Sequence, residues 1–368
     1  MADTRIGYVG VDHHHRDPYL QIAGHLPVEV VAVCEPGEDY SLSEIKPVRD
    51  RPDEISSEGV DIGSVLAGGT VYSEVEEMLA EADLDALWVT YRNDTVPDII
   101  DAAIDHGVDV LSEKPVARTA AALEPVAQRA REAGVTVGAT YFYRYNPVTD
   151  VLRRHVRDGL FGDIWSVDGR YIGSTLDMRD TSHYIYDDAV SRGGALQWIG
   201  LHWLDLFMQV LDEPIVRVCA QSNDSNEPGI ETGMTLAFET ESGITGTFQT
   251  GYYLTEPVKD TRFAVYGDQG TAHTPIHHNR DEGATVPLSV RSTHEDWRGA
   301  PRRETALEIG YDRFPAWGDY VLDFFADFFS GREDGTVPAD LDDALRVLRV
   351  LDAAYAAGDG WVTVDGNP

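Results

Sequence analysis

Short apolar runs alternate with helix-like stretches through the first 140 residues, and this alternation restricts the possible folds more than any other feature of the chain. Residues 5–11 (RIGYVGV), 28–34 (VEVVAVC), 86–90 (ALWVT), 108–112 (VDVLS) and 135–140 (VTVGAT) read as buried strands. Residues 73–82, 96–106 and 119–133 are helical in composition between them, and Asp17-Pro18 offers a cap and a first-turn proline for one further helix. Strands that are apolar throughout and separated by helices belong to a parallel sheet covered on both faces. The expectation is an α/β, doubly wound nucleotide-binding domain over residues 1–140.

Beyond residue 150 the texture changes. Residues 164–172, 215–221, 235–239, 244–253 and 262–266 are strand-like, with Gly, Asp and Asn at the turns and few helices between them, which predicts an antiparallel sheet. Leu341, Ala344, Leu345, Leu348, Leu351 and Tyr355 form one apolar helical stripe, and Gly358 supplies a stop. The second domain is expected over residues 141–368.

The 368-residue chain has the size of two domains. No apolar run has the length of a membrane span, and no basic-then-apolar leader opens the sequence. Cys34 and Cys219 fall in different expected domains, which argues against a disulfide framework and for a reducing, cytoplasmic setting. Net charge is −35, from 64 acidic and 29 basic residues. Such a surface repels phosphates, so nucleic acid is excluded as a partner. The acids are dispersed over both halves rather than gathered in a tail, and lysine occurs only at positions 46, 114 and 259. Dispersed acidity with few lysines reads as a halophile's surface, where concentrated salt screens self-repulsion.

Gly10 ends the first strand and Glu35 the second. In a dinucleotide site such a glycine lets the backbone turn under the pyrophosphate, and such a carboxylate binds the ribose hydroxyls and repels a 2′-phosphate. NAD is therefore expected over NADP. The Gly-x-Gly-x-x-Gly pattern is altered, because positions 12 and 15 are Asp12 and His15. Residues 112–115 (SEKP) follow another strand, so a chain nearly free of lysine keeps Lys114 at a strand's carboxyl end, where such folds bind ligands. Lysine differs from arginine in being compact and able to release a proton when desolvated. Gly10, Val11, Asp12, Glu35 and Thr90, with Glu113, Lys114 and Pro115, are the candidate cofactor contacts. The runs His13-His14-His15 and His277-His278 suggest a metal, but consecutive side chains on regular structure diverge, and no metal is expected.

Gly10, Glu35, Glu113-Lys114-Pro115, residues 141–147 (YFYRYNP), 193–205 (GGALQWIGLHWLD) and 264–271 (AVYGDQGT), in this order, resemble the glucose–fructose oxidoreductase / inositol dehydrogenase / MocA family. The resemblance implies an N-terminal Rossmann domain, a C-terminal α/β domain with a large open antiparallel sheet, and hydride exchange between nicotinamide and a hydroxyl or ketone of a sugar, cyclitol or sugar acid. It places the catalytic pair on Lys114 and His202. His202 is also a candidate substrate contact, with Arg144 and Asn146 just after the last strand of the nucleotide domain, Tyr184 just before the Gly193-Gly194 pair, and Trp198 one helical turn before the histidine. The resemblance also implies a homodimer or homotetramer. The family's aspartate four residues before the histidine is Trp198 here, which would share a helical face with His202 and Asp205. With cofactor loop and histidine partner both altered, a non-catalytic sensor and a NAD-using glycosidase without net redox are the alternatives.

Overall fold

The computed structural model describes residues 4–11, 13–37, 62–174, 183–223, 229–254, 259–276, 284–314, 317–358 and 360–366. The chain divides into two compact units, one of residues 1–141 with 312–345, the other of residues 142–311 with 346–368.

The first unit opens with β1 (Thr4–Val9), α1 (Arg16–Ala23), β2 (Val28–Cys34), α2 (Ile62–Leu66) and β3 (Thr70–Tyr72). It continues with α3 (Val75–Glu81), β4 (Ala86–Val89), α4 (Val96–His106), β5 (Asp109–Ser112), α5 (Ala120–Ala133) and β6 (Val137–Ala139). Among the described residues these strands make a six-stranded sheet in the order β3-β2-β1-β4-β5-β6, every pair parallel. This is the doubly wound order, whose reversal beside β1 forms the ligand crevice of such folds.

Local chemistry sets several boundaries. Thr119 Oγ1 accepts the Ala122 N–H at 3.2 Å to start α5, and Gly134 ends it at φ 70. The helix expected at Asp17-Pro18 instead begins at Arg16, and its N-cap residue, His15, makes no side-chain cap bond. Asp17 pairs with Arg16 at 2.7 Å, and Arg16 also donates to Val11 O at 2.8 Å, so the buried guanidinium consumes the carboxylate that was expected to cap.

The second unit holds α6 (Pro147–Arg157), β7 (Ile164–Ile172), α7 (Asp188–Ser191), α8 (Leu201–Leu211), β8 (Ile215–Asn223), β9 (Gly233–Thr240), β10 (Thr245–Gly251) and β11 (Asp260–Gly267). After β12 (Gly270–Thr274), β13 (Thr285–Ser292) and β14 (Arg302–Glu308), α9 (Tyr320–Gly331) belongs to the first unit. α10 (Leu341–Ala356) and β15 (Val362–Thr363) follow. The sheet has nine described strands, ordered β14-β13-β12-β11-β7-β10-β9-β8-β15. It departs from the antiparallel expectation at one seam, where β10 runs parallel to β7. β7 is separated from its parallel neighbour by α7, α8 and two other strands, a crossover long enough to reverse direction. Phe207 of α8 packs against Phe238, Phe248 and Phe263 of the sheet, and Trp203 stacks on the last two, forming this unit's aromatic core.

Candidate active site

In the first unit the site grows from the carboxyl ends of β1, β4 and β5. Gly10 adopts φ 91, and a Cβ there would stand 2.1 Å from the Thr90 carbonyl oxygen. Both the left-handed backbone and this approach demand glycine. Thr90 Oγ1 lies 2.8 Å from Gly10 O and 3.1 Å from Tyr8 Oη, tying the end of β4 to that of β1. The Gly10 N–H donates to Cys34 O at 2.9 Å, which brings the chain just before Glu35 beside the same turn. Val11 and Glu35 are buried there, whereas Asp12 lies outside the described residues. Burial, followed by Glu35 and three other carboxylates, pushes the Cys34 thiol up to about 12, so it stays protonated and inert.

Glu113 is the hub. Its Oε1 lies 3.1 Å from His15 Nδ1 and 3.4 Å from Lys114 Nζ. Its Oε2 accepts from the hydroxyls of Tyr19 and Thr140. Thr140 Oγ1 also accepts the Lys114 N–H at 3.2 Å, and the Lys114–Pro115 peptide bond is cis. Burial alone would raise the Glu113 carboxyl, but Lys114, His15 and His13 outweigh it and hold the group well below the usual carboxylate range. The same burial, and Glu113 beside it, drive Tyr19 well above its ordinary value. The result is an ionised carboxylate gripping a lysine that is only 6% exposed. The altered fingerprint thus has a structural meaning: His15, where the pattern has glycine, binds the carboxylate next to the lysine.

The ground for expecting no metal at His13-His14-His15 fails. These residues lie in the turn after Gly10, not on helix or strand, and one ring nitrogen from each lies within 4.8 Å of the others. His277-His278 lies outside the described residues.

In the second unit the candidates separate. His202 is buried on α8, its ring 4.7 Å from Tyr143 and 5.6 Å from Phe142. Arg144, expected at substrate, instead gives Asp205 a forked ion pair, with Nε to Oδ2 at 2.9 Å and Nη2 to Oδ1 at 2.5 Å. Asp205 is thereby committed to Arg144. Asn146 is likewise spent on structure: its Oδ1 caps α6 through the Val148 N–H at 3.0 Å, and its Nδ2 donates to Ile276 O at 3.1 Å. Trp198 lies in a π-helical turn, Leu196–Gly200, so the simple helical spacing expected between it and His202 is broken by an i→i+5 register. Its ring is 6.0 Å from Tyr184, edge to face.

Sequence reasoning missed Glu231. Its carboxylate accepts the Gly194 N–H at 2.5 Å, the Leu196 N–H at 2.9 Å and the Tyr355 hydroxyl at 2.9 Å, fastening the start of the turn that carries Trp198. The signal was the Gly193-Gly194 pair. A Cβ on Gly194 would fall 1.9 Å from Glu231 O, and one on Gly193 2.1 Å from Tyr355 Oη.

Residues 6–141 match the family described as "Oxidoreductase family, NAD-binding Rossmann fold", and residues 150–273 match the GFO/IDH/MocA C-terminal domain. The chain belongs to the GFO/IDH/MocA family. It is an NAD(P)-dependent oxidoreductase with an NAD-binding Rossmann domain. It is 26% identical over 297 residues to D-xylose 1-dehydrogenase (NADP(+)) 2 of Haloferax volcanii, covering 80% of this chain and 85% of that protein. Levoglucosan dehydrogenase of Pseudarthrobacter phenanthrenivorans is 22% identical, covering 79% and 83%. The fold matches a levoglucosan dehydrogenase solved with NADH and levoglucosan at a TM-score of 0.79, with 16% identity, over 99% of this chain and 100% of that one. Among the described residues no helix is long and apolar enough to cross a membrane.

Proposed function

We propose that this GFO/IDH/MocA protein interconverts a hydroxyl and a ketone or lactone on a sugar, cyclitol or sugar acid, using NAD. The observation that carries the reading is the buried Glu113–Lys114 pair at the carboxyl end of β5, in the doubly wound sheet whose Gly10 turn suits a dinucleotide. The dinucleotide, when bound, accepts or returns the hydride. Gly10 and Val11 offer it backbone, and Glu35 at the end of β2 offers a carboxylate to the ribose diol and disfavours a 2′-phosphate. The ammonium of Lys114, steadied by Glu113, hydrogen-bonds the reacting oxygen. His202 takes the hydroxyl proton during oxidation and returns it during reduction, as an imidazole suits. Trp198 and Tyr184, whose rings meet edge to face 6.0 Å apart, are assigned as the apolar wall on which the C–H face of a sugar packs. The names of the relatives, a xylose and a levoglucosan dehydrogenase, support a carbohydrate substrate.

The test is a titration with NADH and NADPH in concentrated salt, then a panel of pentoses, hexoses, anhydrosugars and inositols assayed for NADH formation. Tighter binding of NADPH overturns the role given to Glu35, and no turnover of any polyol overturns the substrate class. We further propose a salt-adapted cytoplasmic setting, supported by the charge of −35. Self-association of the chain, which the family resemblance implies, is read by light scattering.

A further inference from the structure

We propose that His13, His14 and His15 bind one borderline divalent transition-metal cation, with zinc as the reference ion and nickel(II) and copper(II) as chemical relatives. The site lies wholly within the first unit, in the turn that follows Gly10, and its test reads metal binding rather than turnover.

Consecutive residues diverge by about 100° on a helix and alternate on a strand, so three adjacent histidines converge only where the chain turns. It does so here. After Gly10 at φ 91, the His13 N–H reaches back to Gly10 O at 3.4 Å, and the Arg16 N–H donates to His13 O at 2.9 Å. The His14 ring centre lies 4.1 Å from that of His13 and 4.1 Å from that of His15, and the outer two are 5.3 Å apart. One nitrogen from each ring lies within 4.8 Å of the others. Zinc–imidazole bonds of about 2.0–2.1 Å put tetrahedral ligand atoms roughly 3.4 Å apart, a closure within reach of side-chain rotation.

The donor set selects the ion. Neutral imidazole suits zinc, copper and nickel, whereas calcium and magnesium prefer oxygen. Three histidines leave a fourth position open, as in zinc sites that keep an exchangeable ligand. The second observation is Glu113. Its Oε1 lies 3.1 Å from His15 Nδ1, so it takes that N–H and leaves the lone pair on Nε2 for a metal. A carboxylate behind a histidine is the usual outer partner of a metal-bound imidazole, fixing tautomer and ring orientation. The His13 Nδ1 accepts the His15 amide at 3.1 Å, and metal binding would release that amide. The chain's charge of −35 raises the local concentration of any cation.

The experiment uses the full chain, stripped with a chelator and kept in concentrated sodium chloride. Zinc is titrated by calorimetry, and cobalt(II) is followed by its visible ligand-field bands. One equivalent is expected, with an intense tetrahedral cobalt spectrum that zinc abolishes. His14→Asn should weaken zinc by at least the roughly tenfold that losing even an outer-shell partner costs. Its melting temperature, compared with that of the unaltered chain, verifies that it is folded. A pale octahedral cobalt spectrum in the unaltered protein overturns the site without recourse to any variant. So does equal zinc affinity in a folded His14→Asn chain.

Discussion

Lys114 shows how one side chain can be read through its neighbours. In a chain with 26 more Lys plus Arg side chains beyond its three lysines, it is buried against an ionised carboxylate. Lys114→Met should lower turnover more than about a hundredfold while the fold persists, as expected for loss of a proton-transfer or electrostatic group. Lys114→Arg should rescue little, because the guanidinium is larger and does not give up its proton. Steady-state rates with melting curves check both, and near-normal turnover in either ends the role. Glu113 makes a prediction in pH. Its folded-state carboxyl is held below the ordinary range, so it contributes stability above that range and loses it as pH falls through the depressed value. Glu113→Gln should therefore cost about 3–5 kcal/mol near neutrality, as for breaking a buried ion pair. That difference should narrow in acid, which urea unfolding at several pH values would show. Glu35→Ser should narrow or invert the preference for NADH over NADPH in a fluorescence titration.

Elements in this chain are secured by groups far away in sequence. The turn bearing Trp198 is held by Glu231, whose carboxyl burial raises against the lowering effect of its hydrogen bonds to Gly194, Leu196 and Tyr355. Nearby, Arg192 adopts φ 74 and pairs with Asp352. Gly194→Ala must displace the Glu231 backbone, and about 1–3 kcal/mol of destabilisation is expected from such overpacking. The shift should appear in thermal unfolding, and an unchanged melt would show that the Glu231 segment yields freely. α9 gives a similar lesson in the first unit, where Phe325 stacks on Trp88 of β4 with ring centres 4.9 Å apart. Arg332, just beyond that helix, bonds Asp109 at 2.8 Å. A segment beyond residue 311 thus completes the nucleotide-binding unit.

Charge belongs to the molecule as a whole. With −35 dispersed along the chain, self-repulsion in dilute buffer opposes compaction, and screening shortens its reach to about 3 Å at 1 M salt. The expectation is a fold that loses helical circular dichroism in dilute buffer and regains it in molar salt. Full stability without salt would sink the halophile reading.

What could be read from the chain alone was what local physics controls. Apolar strands alternating with helices predicted the parallel sheet, because burial on both faces leaves its mark residue by residue. The helix read over residues 119–133 agrees with α5 (Ala120–Ala133) to within one residue, because composition acts locally and the caps that bound it, Thr119 and Gly134, act within a single turn. The family resemblance, resting on the order of its motifs, led to the oxidoreductase family that the domain matches show. The five-residue α2 and three-residue β3 carry too little periodicity to be seen. The contacts of Glu113 with His15, Tyr19 and Thr140, the Arg144–Asp205 fork and the Glu231 clasp stayed hidden, because they join residues from 27 to 124 positions apart. So did the parallel β7–β10 seam and the convergence of His13, His14 and His15. Such pairings leave no period in the sequence; they arise when burial strips water from polar groups and the folded backbone must supply a partner.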